Sequence, residues 1–480
     1  MSLSARRTER TFNFVMTELV RHSKMSWGEM KGLGLAHFLS PQLLYADGTK
    51  WTIGEAAARE LKELTELALD DSPFRRRVDP REAYQAVLKG YASEYLRPGR
   101  GKTRAAEDRA NLSAWIATAG ENCAPLTHFI PCNIGLKGAG TVQIGPVRIG
   151  ARSEIAPRFN DALAASRMEE SRRRPDGDLL LADMCEDYLN AFSDIAEVTV
   201  PACDPTTSRQ AAEEAVQAAV NTVHLIAGVY DTQAMRAGGP ARPYIKTANV
   251  ALRADGTADL HFTKSWEGAS IHSSFWATLK EPDRVAMLDA VGVAVSTVLN
   301  RTDPEFVAAR YLDAVAWYAD AVTERAKPAA IVKYLTAMER LLWTGETGSG
   351  ITRRLSDRTA ALCFSTEIWN FQELSDEVRR AYDLRSGIVH GRLSASNPEI
   401  LKSHRLCKKV ARPADHLALP VRRGLRNTDD HRKGQGAFRR LRGRGPSGNR
   451  QAPEGEGLIS RGRPRDRLTA RNREALPSGN

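Results

Sequence analysis

Apolar residues recur at helical spacing through Gly54 to Asp70 and again through Pro80 to Tyr95. Residues 1 to about 120 therefore read mainly as helix and loop. From Thr127 to Gly150 the period falls to two, with Val142, Ile144, Val147 and Ile149 alternating with small or polar residues around Gly145-Pro146. This predicts a β-hairpin or a pair of short strands, and Gly138 and Gly140 mark the turn before it. Ile195 to Pro201 predicts another strand and Arg209 to Ala227 an alanine-rich helix. Pro243 to Lys264 predicts a second hairpin: Val250 and Leu252 precede an Asp255-Gly256 turn, and Leu260 and Phe262 follow it. The first stretch, 1–275, is thus expected to be an α+β region of one or two domains.

Beyond about residue 280 the alternating pattern stops. Pro282 to Leu299 predicts a helix, as does Asp303 to Ala326, where Asp303 suits the cap and Pro304 the first turn. The apolar stripe of the latter is Val307, Tyr311, Val315, Tyr318 and Val322. Pro328 to Trp343 follows, with Ile331, Leu335, Met338 and Leu342 on one face, and a glycine-rich connector, Gly345 to Gly350, closes it. Ile351 to Cys363, Leu374 to about Val389 and Pro398 to about Ala411 predict three more helices. Residues 280–411 read as an all-helical bundle. From Arg412 to Asn480 periodicity is lost and Arg, Gly, Pro, Ser and Asn dominate. Such a tail buries too little apolar surface to offset chain ordering, so disorder is expected for 412–480. The change of character inside a helical pattern is what a reading-frame shift in a G+C-rich gene would leave, a hypothesis that an intact frame on resequencing removes.

Charge changes the picture in one respect. The 480 residues carry a formal net charge of +11. Residues 401–480 hold 21 basic and 7 acidic groups, a net of +14, while the other 400 hold 48 and 51, a net of −3. The folded body is therefore nearly neutral, and the high isoelectric point gives no support for a nucleic-acid-binding body. No signal peptide is apparent after Met1, and no apolar run nears the ~20 residues of a membrane span. The expectation is a cytoplasmic protein with no membrane contact. Six scattered cysteines, with no C-x-x-C pair, fit a reducing compartment and small buried core positions. His404 and Cys407 have ligand-like spacing without a second ligand pair, so no metal and no cofactor is expected. Arg97 to Thr103 contains Gly-Lys-Thr but has Leu96 where a phosphate loop needs glycine, and it reads as a solvated basic loop.

The residues that carry chemistry are in Arg385-Ser386-Gly387-Ile388-Val389-His390-Gly391. Histidine titrates near neutral pH and arginine holds a fixed cationic fork. The pair supplies a base for a ribose 2′-hydroxyl and a clamp for phosphate oxygens. Residues five apart on a regular helix differ by ~140° around its axis. Convergence therefore needs Gly387 and Gly391 to relax or end the helix, or a second copy to supply the partner group. A bare R-x4-H pattern is weak, because Arg426 to His431 matches it too, in the polar tail. The alternative reading has His390 capping a helix C-terminus and Arg385 in a surface ion pair with Asp383 or Glu377, with Glu339 structural.

Context raises the first match. The helices LDAVAWYADA (312–321), IVKYLTAMERLLW (331–343), RRLSDRTAALC (353–363) and VRRAYDLRSGIVHG (378–391), in this order and spacing, resemble the HEPN domain, and most closely its Apea-like subgroup, over residues about 282–411. The resemblance implies a helical bundle that pairs as a homodimer, with two R-x4–6-H motifs meeting at a shared cleft to cleave RNA without metal. It carries Arg385 and His390 over as the catalytic pair, with Ser386 at a position that is often polar. It further implies a role in antiviral defence or a toxin–antitoxin system, with RNA, tRNA included, as the partner. Arg353, Arg354, Arg358, Arg379 and Arg380 are candidate RNA contacts. A non-catalytic HEPN module that binds RNA, nucleotide or a protein is the alternative.

Overall fold

In the computed structural model the described residues are 3–33, 42–44, 50–96, 105–121, 123–136, 138–173, 181–228, 232–239, 244–252, 258–266, 271–302, 306–342, 350–363 and 370–410. The basic loop at 97–103, the Asp255-Gly256 turn, the Asp303 cap, most of the 345–350 connector and the 412–480 tail lie outside them.

The chain opens with helices α1 (Ala5–Ser23) and α2 (Trp27–Gly32) and the strand pair β1 (Gln42–Leu44) and β2 (Lys50–Thr52). Helices α3 (Glu55–Asp70), α4 (Pro80–Tyr95) and α5 (Ala105–Glu121) follow. The α3 and α4 bounds match the sequence periodicity. Asp79 caps α4 by accepting from the Arg81 amide at 2.8 Å, with Pro80 in the first turn. These helices share one core, in which Phe12 is fully buried against the rings of Tyr91, Tyr95 and Trp115.

The second layer is a five-stranded antiparallel sheet in the order β4-β5-β6-β3-β7. Its strands are β3 (Ala124–Asn133), β4 (Val142–Ile144), β5 (Val147–Ala151), β6 (Asp194–Cys203) and β7 (Arg236–Ala237). The β4–β5 hairpin turns at Gly145-Pro146, as the alternation implied. Between β5 and β6 the chain makes α6 (Arg152–Ile155), a 3-10 turn, α7 (Asn160–Arg173) and α8 (Leu181–Asn190). Alternation along β6 places Ala196, Val198 and Val200 in the main core, while Ile195 joins a smaller cluster with Ile155 and Phe159. Helix α9 (Pro205–Ala227) covers the main face with a run of alanines and valines. It begins four residues before the periodic stretch, because the Asp204 carboxylate accepts from the Thr206 and Thr207 amides. A separate antiparallel pair, β8 (Tyr244–Leu252) and β9 (Ala258–Trp266), forms the second hairpin.

Short helix α10 (Ser273–Thr278) leads into α11 (Pro282–Leu299), α12 (Phe306–Thr323), α13 (Lys327–Leu342), α14 (Ile351–Cys363), α15 (Phe371–Val389) and α16 (Pro398–Val410). The core under the sheet takes in Met287 to Leu299 of α11 and Ala308 to Val315 of α12. From Tyr318 onward the apolar residues of α12 to α16 share a second core. The stripe expected on α12 is buried at Tyr311, Val315, Tyr318 and Val322, so one helix serves both cores. The architecture is α+β. All six cysteines are free thiols; Cys132, Cys203, Cys363 and Cys407 are buried as expected, but Cys185 is exposed on α8 and Cys123 is half-buried. No helix among the described residues is long and apolar enough to cross a membrane.

Candidate functional site

Helix α15 starts where the Asn370 side chain accepts from the Gln372 amide at 2.9 Å. Its inner face is Leu374, Val378, Ala381, Tyr382 and Leu384, and the Tyr382 hydroxyl donates to the Leu335 carbonyl of α13 at 3.3 Å. The other end is a Schellman turn. Gly391 has φ +68, its amide donates to the Ile388 carbonyl at 3.1 Å, and the Arg392 amide donates to the Gly387 carbonyl at 2.8 Å. Glycine is needed at 391 because this left-handed conformation penalises a Cβ. At Gly387 the requirement is space: a Cβ there would lie 2.4 Å from the Leu393 side chain, which folds back over the helix end.

Gly391 therefore ends the helix, whereas Gly387 stays helical and does not relax it. The helix is regular through Val389, so Arg385 and His390 leave it ~140° apart. His390 occupies the C-cap with its side chain exposed. Arg385 is half-buried, and its Nη2 donates to Glu339 Oε2 of α13 at 3.3 Å. The Arg385 Nε is buried with no hydrogen-bond partner. Burial raises the Glu339 carboxyl above its usual range, and the Arg385 and Arg340 guanidiniums oppose that rise. The ion pair thus runs between helices, and not to Asp383 or Glu377 on the same helix; Glu377 instead faces Arg380 at 3.8 Å. Glu339 was legible as a partner in one respect. It follows Leu335 by four, which puts it at the edge of the buried stripe of α13.

Ser386 is half-buried, and its hydroxyl accepts from Arg392 Nη2 at 3.3 Å. Arg392, unremarked in the sequence, is therefore a further cation beside His390 and is exposed. Among the five candidate RNA-contact arginines, Arg353, Arg358, Arg379 and Arg380 have protein partners. Arg353 faces Asp357 at 3.9 Å, Arg379 faces Asp376 at 3.3 Å, and Arg358 Nη1 donates to the Leu342 carbonyl at 2.9 Å, where it satisfies the end of α13. Arg353 and Arg380 are exposed, and Arg354, Arg358 and Arg379 are half-buried. His404 and Cys407 are buried in the bundle, with the His404 ring 6.3 Å from that of Tyr334.

The fold and this helix end define an α+β protein with an exposed imidazole close in sequence to an anchored guanidinium. No family model matches the chain, and no curated protein or solved structure matches it.

Proposed function

We propose that the chain is a metal-independent endoribonuclease of the HEPN type, active as a homodimer whose copies meet through residues 282–411. The observation that carries this reading is the exposure of His390 at the end of α15, with Arg385 five residues earlier fixed on another side of the helix by Glu339. One copy presents base and clamp on different sides, so the working pair is drawn from two copies related by a two-fold axis.

Neutral His390 takes the proton of a ribose 2′-hydroxyl, and the alkoxide attacks the adjacent phosphorus. Arg385 meets the charge that develops on the phosphate oxygens. The P–O5′ bond breaks as a protonated histidine of the other copy gives its proton to the leaving oxygen. The products are a 2′,3′-cyclic phosphate and a 5′-hydroxyl. DNA lacks the nucleophile and is left intact. Cellular RNA, tRNA included, is the substrate class, and defence or a toxin system is the setting such cleavage serves.

The experiment is RNA cleavage by the full chain in EDTA, with His390→Ala and Arg385→Ala beside it. Cleavage with cyclic-phosphate ends, lost in both variants, is expected. Activity that survives His390→Ala, or that stops on adding EDTA, overturns the proposal. A second reading, a non-catalytic HEPN module that binds RNA, nucleotide or a protein, is favoured by one observation: the Arg385 fork is already engaged by a carboxylate. It predicts binding without cleavage in the same assay.

A further inference from the structure

Away from α15, a cleft of about 350 Å³ opens where the start of α4, the first turns of α9 and the end of α11 come together. Its cationic lining is Arg75, Arg76 and Arg301, and Thr207, Gln210 and Thr297 add neutral polar groups. One aspartate sets this junction. Asp204 caps α9 through Oδ1, accepts from the Asp79 amide through Oδ2 at 2.8 Å, and donates its own amide to the Arg77 carbonyl at 2.8 Å. The N-terminal ends of α4 and α9 are thereby held at the same opening, each with its first free amides already bonded to a capping carboxylate.

Arg301 is the informative residue. Helix α11 ends in a Schellman turn: the Arg301 amide donates to the Val298 carbonyl and the Thr302 amide to the Thr297 carbonyl, each at 3.2 Å. The position after the cap in such a turn normally belongs to glycine. Here it is Arg301, at φ +51, the one non-glycine residue with positive φ among the described residues. A side chain sits at a backbone position that disfavours one, and such strain gathers at functional sites. That side chain is 17% exposed, reaches Glu214 through Nη1 at 2.7 Å and leaves Nε buried with no hydrogen-bond partner. The other two guanidiniums are exposed. Arg75 is held by Asp70 at 3.3 Å in an open, solvent-screened pair from which it can turn inward. Against the three arginines the cleft sets two carboxylates, Asp79 and Glu214, and the first already accepts from the Arg81 amide.

We infer that this cleft binds a phosphate-bearing small molecule of nucleotide size, clamped by Arg75, Arg76 and Arg301 at the junction of the N-terminal helices with the sheet layer. The volume suits such a ligand, and junctions between layers are common places for one. A guanidinium fork fits phosphate in two-point fashion. The inference is independent of the chemistry proposed for α15.

The test is calorimetric titration of the full chain with ATP, inorganic pyrophosphate and, as the phosphate-free control, adenosine. Binding of ATP or pyrophosphate, with none of adenosine, is expected; ATP binding alone identifies a nucleotide and pyrophosphate binding alone a free phosphoanion. Arg301→Gly suits the backbone better than the native residue, so the variant should fold, and it should weaken binding by at least about tenfold. The double variant Arg75→Ala/Arg76→Ala changes two exposed side chains, should weaken binding similarly, and decides the matter if Arg301→Gly proves unstable. Both variants keep the arginine-rich tail, so binding through the tail would persist in them. Failure of both phosphate probes to bind, or unchanged affinity in the variants, overturns the inference.

Discussion

At the scale of single residues, the RSGIVHG segment gives each of its glycines a separate task. Gly391 supplies a left-handed turn and Gly387 makes room for Leu393. Gly391→Ala should cost about 1 kcal/mol, the usual penalty for a Cβ in this conformation, and chemical denaturation measures it. An unchanged midpoint would mean that the helix end has found another termination. His390 is exposed, so His390→Ala should leave stability within about 0.5 kcal/mol of the parent while abolishing cleavage. The titration of a buried histidine is also a residue-scale effect. His224 is 1% exposed on α9, and burial pushes its imidazole down to about 4, against a backbone hydrogen bond at Met235. Above the ordinary value of 6.5 both folded and unfolded chains hold it neutral. As pH falls from there to about 4, the unfolded chain takes up a proton that the folded one refuses, and about 3 kcal/mol of stability is lost. Burial, then Lys408 and Lys327, lowers His404 in the same direction. Denaturation followed across this window should show the loss, and His224→Gln should reduce it. A flat profile would contradict the buried neutral imidazole.

At the scale of elements, the β4–β5 hairpin and α11 meet at bare backbone. A Cβ added to Gly292 would lie 2.4 Å from Gly145 Cα, and one added to Gly145 would lie 2.2 Å from Gly292 Cα. Alanine is the better helix former by about 1 kcal/mol, so propensity alone predicts that Gly292→Ala stabilises α11. The contact reverses that expectation. Backbone cannot rotate aside as a side chain does, and Gly292→Ala should destabilise by about 1–3 kcal/mol, read from the denaturation midpoint. A gain in stability would show that the two elements sit further apart. Helix bounds illustrate how far a pattern carries. Pro282–Leu299 and Ile351–Cys363 are the spans their periodicity predicts, because apolar spacing and Pro or Gly boundaries coincide there. Helix α9 and helix α15 begin before their periodic stretches, since the Asp204 and Asn370 caps extend them into polar sequence. Helix α7 had no such signal: none of its residues is fully buried, and without a buried face no stripe marks a helix.

At the scale of the whole molecule, α11 and α12 tie the sheet layer to the bundle, and α12 contributes to both cores. The ribonuclease proposal asks for a second copy, because a regular helix separates Arg385 from His390. Light scattering behind gel filtration should show a dimer of the full chain, and a strict monomer that still cleaves RNA would refute the shared-site arrangement.

The α+β character, many of the helix and strand positions, and the segment that holds Arg385 and His390 were readable from the order of residues alone. Each of these is a local matter of spacing, capping and turn chemistry. Tertiary structure decided that Arg385 turns to Glu339, that Gly145 and Gly292 touch, and that Arg301 meets Arg75 and Arg76 across a cleft. Those pairs join residues far apart in the chain, and their meeting depends on how helices and sheet pack, which the periodicity of any single segment does not record.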